Sequence, residues 1–357
     1  MDLEGAFYMS ESEYFKRVSS MSPTRMWINN PTLRECDIAI EAGAINCTTN
    51  PTYSMKMIQK EDAAFIDGIF AKAIKGSTCV DCIADNVQQE LVRNLLVKFD
   101  PLYEKSNGKQ GFVSIQGNPH MDENADRIVE DARNYRKLGR NFIAKIPATE
   151  AGLAAIERLI PENIPIIATE IMSIAQMVST CELYTKVSKS CGKTPVFFVT
   201  HITGILDDHM KNVVKEQKID IASDILWQAG CIVARKQYRI MKDRKYPGIL
   251  LGGGARDLHH FTEFVGADAH ITINWEGTAD KLIANNPPVV YRIDNPTPQH
   301  VVDELLEKIP DFRKAYFENE LLLSDFKDFG PVVLFRNSFL KGWDYLTDQV
   351  RQRKEAM

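Results

Sequence analysis

The sequence predicts an α/β protein built as a (β/α)8, or TIM, barrel, and three observations support this prediction. Short β-rich segments alternate with helical patterns along the chain, which indicates right-handed βαβ units and a parallel sheet. Eight such units can be counted, and a barrel of eight units typically occupies about 250 residues, which fits within 357 residues. The main alternative is a doubly wound open sheet, but that fold normally has a Gly-rich turn after its first strand, and "WINNPTL" (27–33) is not one.

The eight predicted strands are four to eight residues long and rich in β-branched or aromatic residues. They lie at 25–30, 44–49, 111–116, 141–146, 165–170, 195–201, 248–254 and 270–275. Helical patterns separate them. The pattern that follows the first strand ends at Gly43, a typical C-cap, and the one before the fourth strand places Ile128, Ala132 and Tyr135 on one face.

Two segments exceed what a barrel of this kind needs. The first is a helical insertion at about 53–105, between the second and third strands, and the second is a helical C-terminal extension at about 296–357. The barrel core then occupies about 25–290. No repeat or Gly/Ser-rich linker interrupts the chain, so we expect residues 1–357 to form a single domain.

Composition and charge narrow the classes of partner. The net charge is −5, from 43 basic and 48 acidic residues, without a basic block, so neither nucleic acid nor an anionic membrane is favoured. The N-terminus does not resemble a secretory signal, and no apolar run approaches the roughly 20 residues of a membrane helix.

The chain has seven cysteines, an odd number, which disfavours a disulfide framework. We therefore expect a cytoplasmic protein. Cys79 and Cys82 lack a second CxxC pair, so we expect no metal there.

Lys145 stands inside the apolar run "NFIAKIPATEAGL" (141–153). Alternation along the fourth strand places Ile143 and Lys145 on one face. If that face is the barrel interior, burial lowers the pKa of the amine, and a neutral lysine amine attacks carbonyls to form a Schiff base. The other interpretation is a lysine that extends its charge into solvent at the barrel mouth. This stretch leaves both open.

Polar side chains lie at the carboxyl ends of most of the other strands, and this end of a barrel is where active sites lie. They include Asn29, Thr49, Asn50, Ser114, Gln116, Thr169 and Glu170. "GGGAR" (252–256), with Gly254 and Arg256, is either an anion site after the seventh strand or a tight turn that requires glycine. His201 ends the sixth strand and is either structural or catalytic, whereas we interpret His259 and His260 as structural.

Four segments together resemble the transaldolase family, which includes the fructose-6-phosphate aldolases. They are "CTTNPT" (47–52), "GFVSIQ" (111–116), "NFIAKIPATEAGLAAI" (141–156) and "LLGGGARD" (250–257). The resemblance runs from about residue 25 to 275 and marks the chain as a divergent member. It implies a (β/α)8 barrel whose Schiff-base lysine lies on the fourth strand, where counting strands independently places Lys145.

The resemblance also implies a reaction and roles for residues. Lysine forms an imine with a ketose, the carbon–carbon bond breaks, and a three-carbon dihydroxyacetone unit remains as an enamine until an aldehyde or water takes it. Lys145 matches the nucleophile, Thr169 a threonine that helps hold water, and Arg256 a substrate-phosphate ligand. Asn50 and Ser114 match substrate-binding positions, to which we add the neighbouring Thr49 and Gly254. The implied partners are small ketoses and aldehydes, with a possible homo-oligomer. No metal or organic cofactor is required.

The sequence departs from the family at several positions. Asn29 stands where the family has a proton-handling aspartate, and an amide cannot accept that proton. Gln116 stands where transaldolases proper have a glutamate, although the fructose-6-phosphate aldolases have glutamine there, and Ile167 replaces an asparagine. Gly204 replaces the second phosphate arginine, so we expect a neutral, sulfonated or differently held substrate tail.

His201 stands at an aromatic position of the family and is our candidate for the displaced acid/base role. Glu170 is a weaker candidate, because alternation points it away from Thr169. Our leading hypothesis is therefore a Schiff-base transaldolase or aldolase. The alternative is a sugar-binding or regulatory barrel without turnover, and a third hypothesis is a metal-dependent hydrolase using His120, His201 and Asp207, which lack ligand spacing.

Overall fold

Eight parallel strands close into a barrel in sequence order in the computed structural model, which describes residues 14–356. The first strand closes the barrel by pairing with the eighth. The predicted fold class is therefore confirmed, and each predicted strand is present with ends that differ by at most three residues. The strands are β1 Arg25–Asn29, β2 Cys47–Thr48, β3 Val113–Ile115, β4 Phe142–Pro147, β5 Ile166–Ile171, β6 Phe197–His201, β7 Ile249–Gly252 and β8 Ala269–Ile273.

Helices surround the barrel and fill the two predicted additional segments. The helices up to the end of the insertion are α1 Tyr14–Met21, α2 Leu33–Ala42, α3 Thr52–Lys60, α4 Ala63–Gly76 and α5 Val80–Lys105. Those along the rest of the barrel are α6 Ala125–Tyr135, α7 Glu150–Leu159, α8 Ile174–Cys191, α9 Thr203–Gln217, α10 Ser223–Leu226, α11 Ala229–Asp243, α12 His259–Thr262 and α13 Asp280–Asn285. The extension forms α14 Gln299–Lys308, α15 Pro310–Tyr316 and α16 Gly330–Glu355. Within residues 14–356, no helix has both the length and the apolar character needed to cross a bilayer.

Local sequence determines where the helices of the barrel begin and end. The Thr32 side chain accepts a bond from the Glu35 amide at the start of α2, and the Glu35 carboxylate accepts one from the Thr32 amide. This reciprocal capping box satisfies two amides that the helix cannot pair itself. Gly43 then ends α2 with φ +112°, a left-handed conformation that costs glycine little, as the sequence predicts.

The barrel interior is a separate apolar core, and it settles which face of β4 points inward. The core consists of six side chains, those of Trp27, Phe112, Ile143, Ile167, Phe198 and Leu251. The alternate residues Phe142, Ala144 and Ile146 belong instead to the larger core between strands and helices. Because Ile143 lies inside, Lys145 two residues later points into the barrel as well.

The C-terminal helix α16 crosses towards the mouth of the barrel. It packs against α3 and α5 of the insertion and against α9, and it brings Phe335 and Phe339 to the cavity described below. The insertion and the extension therefore meet each other over the carboxyl ends of the strands.

Candidate active site

A cavity of about 450 Å³ opens at the carboxyl ends of the barrel strands. Five residues predicted from the sequence line it, namely Asn29, Asn50, Lys145, Gly254 and Arg256. They come from four different strands or the loops that follow them, which is how a barrel assembles a site from distant parts of a chain. Thr200, another polar residue at the end of a predicted strand, also lines the cavity.

Lys145 is the lysine at the base of this cavity, and it is almost entirely buried, with 6% of its surface exposed. Its Nζ donates a hydrogen bond of 3.3 Å to the carbonyl of Thr49 and lies 5.8 Å from the centre of the Phe339 ring. Burial lowers the pKa of the amine to about 8, although the carboxylate of Glu170 and the thiol of Cys47 act in the opposite direction. Of the two interpretations left open by the sequence, the structure therefore shows the desolvated amine.

The carbonyl that accepts the hydrogen bond from Lys145 belongs to Thr49, and two hydrogen bonds join Thr49 to Ser114. The Thr49 amide donates to Ser114 Oγ over 3.0 Å, and Thr49 Oγ1 donates to the Ser114 carbonyl over 2.6 Å. Each side chain is thus bonded to the main chain of the other residue. Asn50, in contrast, lines the cavity, and its Oδ1 accepts bonds from the Thr52 amide at 2.9 Å and from Asn30 Nδ2 at 3.1 Å.

Asn29 lies at the cavity wall within a chain of neutral polar groups. Its Nδ2 donates to Asn274 Oδ1 over 2.9 Å, and its Oδ1 accepts from Thr48 Oγ1 over 2.9 Å. The amide is therefore oriented by its neighbours and can bind a substrate hydroxyl. It cannot take up a proton at neutral pH.

A carboxylate reaches the surroundings of Lys145 from β5. Glu170 is buried, and its Oε1 accepts a 2.9 Å hydrogen bond from Gln116 Nε2. The pairing of β5 with β6 shifts register between Ala168 and Ile171, and Glu170 has φ +61°. Strict alternation, on which the weaker expectation for Glu170 rested, does not hold through this bulge. Thr169 is fully buried beside it, and its hydroxyl has no hydrogen-bond partner among the described residues.

The charge of Glu170 depends on several neighbours. Burial raises its pKa to about 7, and the carboxylate of Asp122 raises it as well. The hydrogen bond from Gln116 and the charges of Lys145 and Arg336 lower it. Arg336 on α16 also pairs with Asp122, with Nε 2.8 Å from Oδ2 and Nη2 2.9 Å from Oδ1. Glu170, Asp122 and Arg336 border a second cavity of about 180 Å³.

The turn after β7 explains why residue 204 is glycine. Gly254 adopts φ +63°, and a Cβ at Gly204 would lie only 2.1 Å from the Gly254 carbonyl oxygen. The turn therefore fills the space next to Gly204. Arg256 remains at the cavity rim, where its Nε donates to Asp208 Oδ2 over 2.8 Å and its side chain is 41% exposed. A cation that is partly exposed and lines the cavity is suited to an anionic group of a ligand.

His201 faces away from the cavity. It is fully buried, its Nε2 lies 3.2 Å from the carbonyl oxygen of Gly230 on α11, and burial lowers its pKa to about 4. The structure does not bring it to Lys145. Alternation along β6 could have predicted this orientation. Phe198 belongs to the interior core and Thr200 lines the cavity, so the side chain of His201, next to Thr200, points outward.

One cluster in the described residues has the composition of a metal site, and it consists of Cys231, His259 and His260, with ligand atoms within 4.8 Å of one another. Both ring nitrogens of His260 are already bonded, Nε2 to Asp207 Oδ2 at 2.7 Å and Nδ1 to the Arg256 amide at 2.9 Å. His260 therefore braces the turn after β7. His120 of the hydrolase hypothesis is exposed and lies 2.6 Å from Asp344, apart from this cluster.

Comparisons with known proteins agree with this geometry. The family described as "Transaldolase/Fructose-6-phosphate aldolase" matches residues 26–320. Similar curated proteins include a transaldolase of Trichodesmium erythraeum, 27% identical over 57% of this chain and 58% of its own length. Another is "Transaldolase 2" of Nostoc punctiforme, 29% identical over 42% of this chain and 39% of its own. The chain thus spans little more than half of the first relative and less than half of the second.

A solved structure of 2,3-dimethylmalate lyase, a member of the PEP mutase/isocitrate lyase superfamily, is 12% identical, with 82% of this chain and 93% of that chain covered at a TM-score of 0.34. At that score the likeness bears on neither substrate nor mechanism. The family match covers most of the barrel and includes Lys145, Thr169 and Arg256. This chain belongs to the transaldolase/fructose-6-phosphate aldolase family.

Proposed function

We propose that the chain is a Schiff-base transaldolase or aldolase that cleaves or transfers a three-carbon dihydroxyacetone unit of a ketose. The observation that carries the proposal is the buried amine of Lys145, whose pKa burial lowers to about 8, at the base of a cavity of about 450 Å³. An amine with this pKa is neutral in roughly one molecule in ten at pH 7. An ordinary lysine, with a pKa near 10.4, is neutral in only about one in several thousand.

The proposed steps use this amine as nucleophile and electron sink. Lys145 Nζ attacks the ketose carbonyl carbon, and the resulting carbinolamine loses water to give an imine. As the C3–C4 bond breaks, its electron pair moves into the imine to form an enamine, and the C4 hydroxyl proton leaves the substrate for a base. The aldehyde fragment departs. The enamine then attacks an acceptor aldehyde, or it is protonated at carbon and water hydrolyses the imine.

The walls of the cavity provide contacts for the rest of the sugar. The amides of Asn29 and Asn50 lie at the wall and are suited to substrate hydroxyls. Arg256 lies at the rim and is suited to an anionic tail, whether phosphate or sulfonate. We further propose that the protein acts in the cytoplasm, in line with its odd number of cysteines.

Borohydride trapping tests the proposal. The protein would be incubated with dihydroxyacetone, fructose 6-phosphate, an unphosphorylated ketose or a sulfonated ketose, reduced, digested and analysed by mass spectrometry. We expect an adduct on the peptide containing Lys145, and none in the Lys145→Met variant. Lys56→Met is a matched control, because Lys56 lines the same cavity but pairs with Glu35 at 2.6 Å, and it should retain the adduct. Folded wild-type protein that gives no adduct with any of the four compounds would contradict the proposal.

A further inference from the structure

The proposed chemistry needs a group that accepts and returns protons beside Lys145, and few groups meet this need. Asn29 and Gln116 are amides, and His201 faces α11. Among the described residues, the ionisable groups that act on the charge of Lys145 are Glu170 and Cys47. Burial raises the pKa of the Cys47 thiol well above its ordinary value, so it remains protonated. Glu170 is the carboxyl group that is left.

The chain places Glu170 there at a conformational cost. Thr169 and Glu170 of β5 both lie opposite Thr200 of β6, because pairing passes from Ala168–Val199 to Ile171–His201. The bulge puts Glu170 at φ +61°, where a residue with a side chain costs of order 1–3 kcal/mol. Glycine or asparagine would adopt this conformation at lower cost. A buried carboxyl group held in this way needs a reason other than stability.

Gln116 gives the carboxyl group one orientation. Its Nε2 donates to Glu170 Oε1 over 2.9 Å, and its main-chain carbonyl oxygen accepts from Gln88 Nε2 over 3.1 Å. The buried atoms Gln116 Oε1 and Thr169 Oγ1 have no hydrogen-bond partner among the described residues. They are therefore available to a substrate hydroxyl or to a water molecule that links the substrate to the carboxyl group.

We propose that Glu170 is the proton-transfer group of the Lys145 site and that Gln116 is its positioning residue. In this assignment, which rests on the proposed function, Glu170 in its acid form protonates the hydroxyl that leaves the carbinolamine as water. The carboxylate that results then accepts the substrate proton as the enamine forms. The same acid then protonates the enamine at carbon, and the carboxylate recovers a proton from the water that hydrolyses the imine, so no proton is gained or lost by the protein over a complete cycle.

The charged groups that face Glu170 are consistent with this cycle. They are Asp122, Lys145 on β4 and Arg336 on α16, and together with burial and the bond from Gln116 they leave the pKa of Glu170 at about 7. Both forms of the carboxyl group are then populated near neutral pH, as a group that alternates between acid and base requires.

Deuterium exchange into dihydroxyacetone measures this proton transfer without knowledge of the natural acceptor. Dihydroxyacetone forms the imine with Lys145, loses a C–H proton to Glu170, and regains a deuteron after the carboxyl group has exchanged with D2O. In Glu170→Gln we expect the exchange rate, divided by the amount of borohydride-trapped adduct, to fall by about 10²- to 10⁴-fold. In the wild type this normalised rate should fall below about pH 7. In Glu170→Gln that decrease should disappear.

Two further variants separate proton transfer from a structural effect. Glu123→Gln is the control, because Glu123 borders the same small cavity but is exposed and pairs with Lys327 at 2.8 Å. It should keep the wild-type rate. The double variant Gln116→Glu/Glu170→Gln returns a carboxyl group to the same hydrogen-bonded pair, from the residue that follows β3. Its normalised exchange rate should exceed that of Glu170→Gln by about tenfold or more.

Three results would overturn the assignment while Lys145 still gives an adduct. The first is a normalised exchange rate in Glu170→Gln within about threefold of the wild-type rate. The second is a wild-type exchange rate that does not decrease below pH 7. The third is a double variant whose exchange is no faster than that of Glu170→Gln. If wild-type protein gives no adduct, the proposed function itself fails, and the two failures are thereby distinguished.

Discussion

Lys145→Met should abolish adduct formation and at the same time make the protein more stable. The fold holds the pKa of this amine at about 8 against an ordinary value of 10.5. Because a tenfold change in an equilibrium corresponds to about 1.4 kcal/mol, burial of the protonated amine costs about 3 kcal/mol at pH 7. Methionine keeps a similar unbranched stem and carries no charge, so it removes this cost.

The pH dependence follows from the direction of the shift. The folded protein binds the proton less tightly than the unfolded chain does, so the full cost applies below pH 8. It declines as pH rises from about 8 to 10.5 and vanishes above that range. The stability advantage of Lys145→Met should therefore be about 3 kcal/mol at pH 7 and close to zero above pH 10.5.

Denaturant unfolding of both proteins at several pH values between 7 and 10.5 measures this difference. Lys56→Met is the control: Lys56 pairs with Glu35 and is partly exposed, so its loss should lower stability by at most about 1 kcal/mol. A Lys145→Met variant less stable than wild type at pH 7, or an advantage that does not change with pH, would refute the reasoning.

Three other variants test the surroundings of the site. Gly204→Ala should lower the free energy of unfolding by about 1–3 kcal/mol, because the added Cβ would clash with the Gly254 carbonyl oxygen in the turn after β7. In the same denaturant assay, the control Gly68→Ala on α4, where a Cβ meets no atom within 4 Å, should be neutral or stabilising. Arg256→Met should raise the KM of an anionic ketose by about tenfold to a hundredfold and leave that of dihydroxyacetone unchanged; equal effects on both would argue against an anion contact. Arg336→Met should raise the pKa of Glu170 and move the acidic decrease in deuterium exchange to higher pH, measured against Arg351→Met on the same helix, and an unmoved profile would count against that coupling.

The sequence was sufficient to predict the barrel and the strand on which Lys145 lies. Strand segments are recognisable because β-branched and aromatic residues mark them locally, and the alternation of Ile143 and Lys145 along β4 needs no knowledge of the neighbouring strands. His201 shows the limit of reading strand ends without that alternation. Its position at the end of β6 suggested the cavity, but Phe198 and Thr200 occupy the inward face.

Glu170 could not be placed from the sequence for a different reason. A bulge is a property of the pairing between two strands, β5 and β6, and nothing local to "IIATEI" (166–171) distinguishes it from a regular strand. The pair of Asp122 and Arg336 joins residues more than 200 positions apart. Its effect on Glu170 depends on the docking of α16 across the barrel mouth, which the amphipathic pattern of that helix does not specify.

The same helix influences both groups of the proposed reaction. Phe339 lies over Lys145 and keeps the amine in the apolar surroundings that lower its pKa. One turn earlier, Arg336 neutralises Asp122 and lowers the pKa of Glu170. If α16 were displaced, water would reach Lys145, its pKa would return towards that of an ordinary lysine, and little neutral amine would remain at pH 7. Glu170 would at the same time lose the nearby arginine. The reactive arrangement therefore requires α16 to be docked, and the extension belongs to the site as much as the strands do.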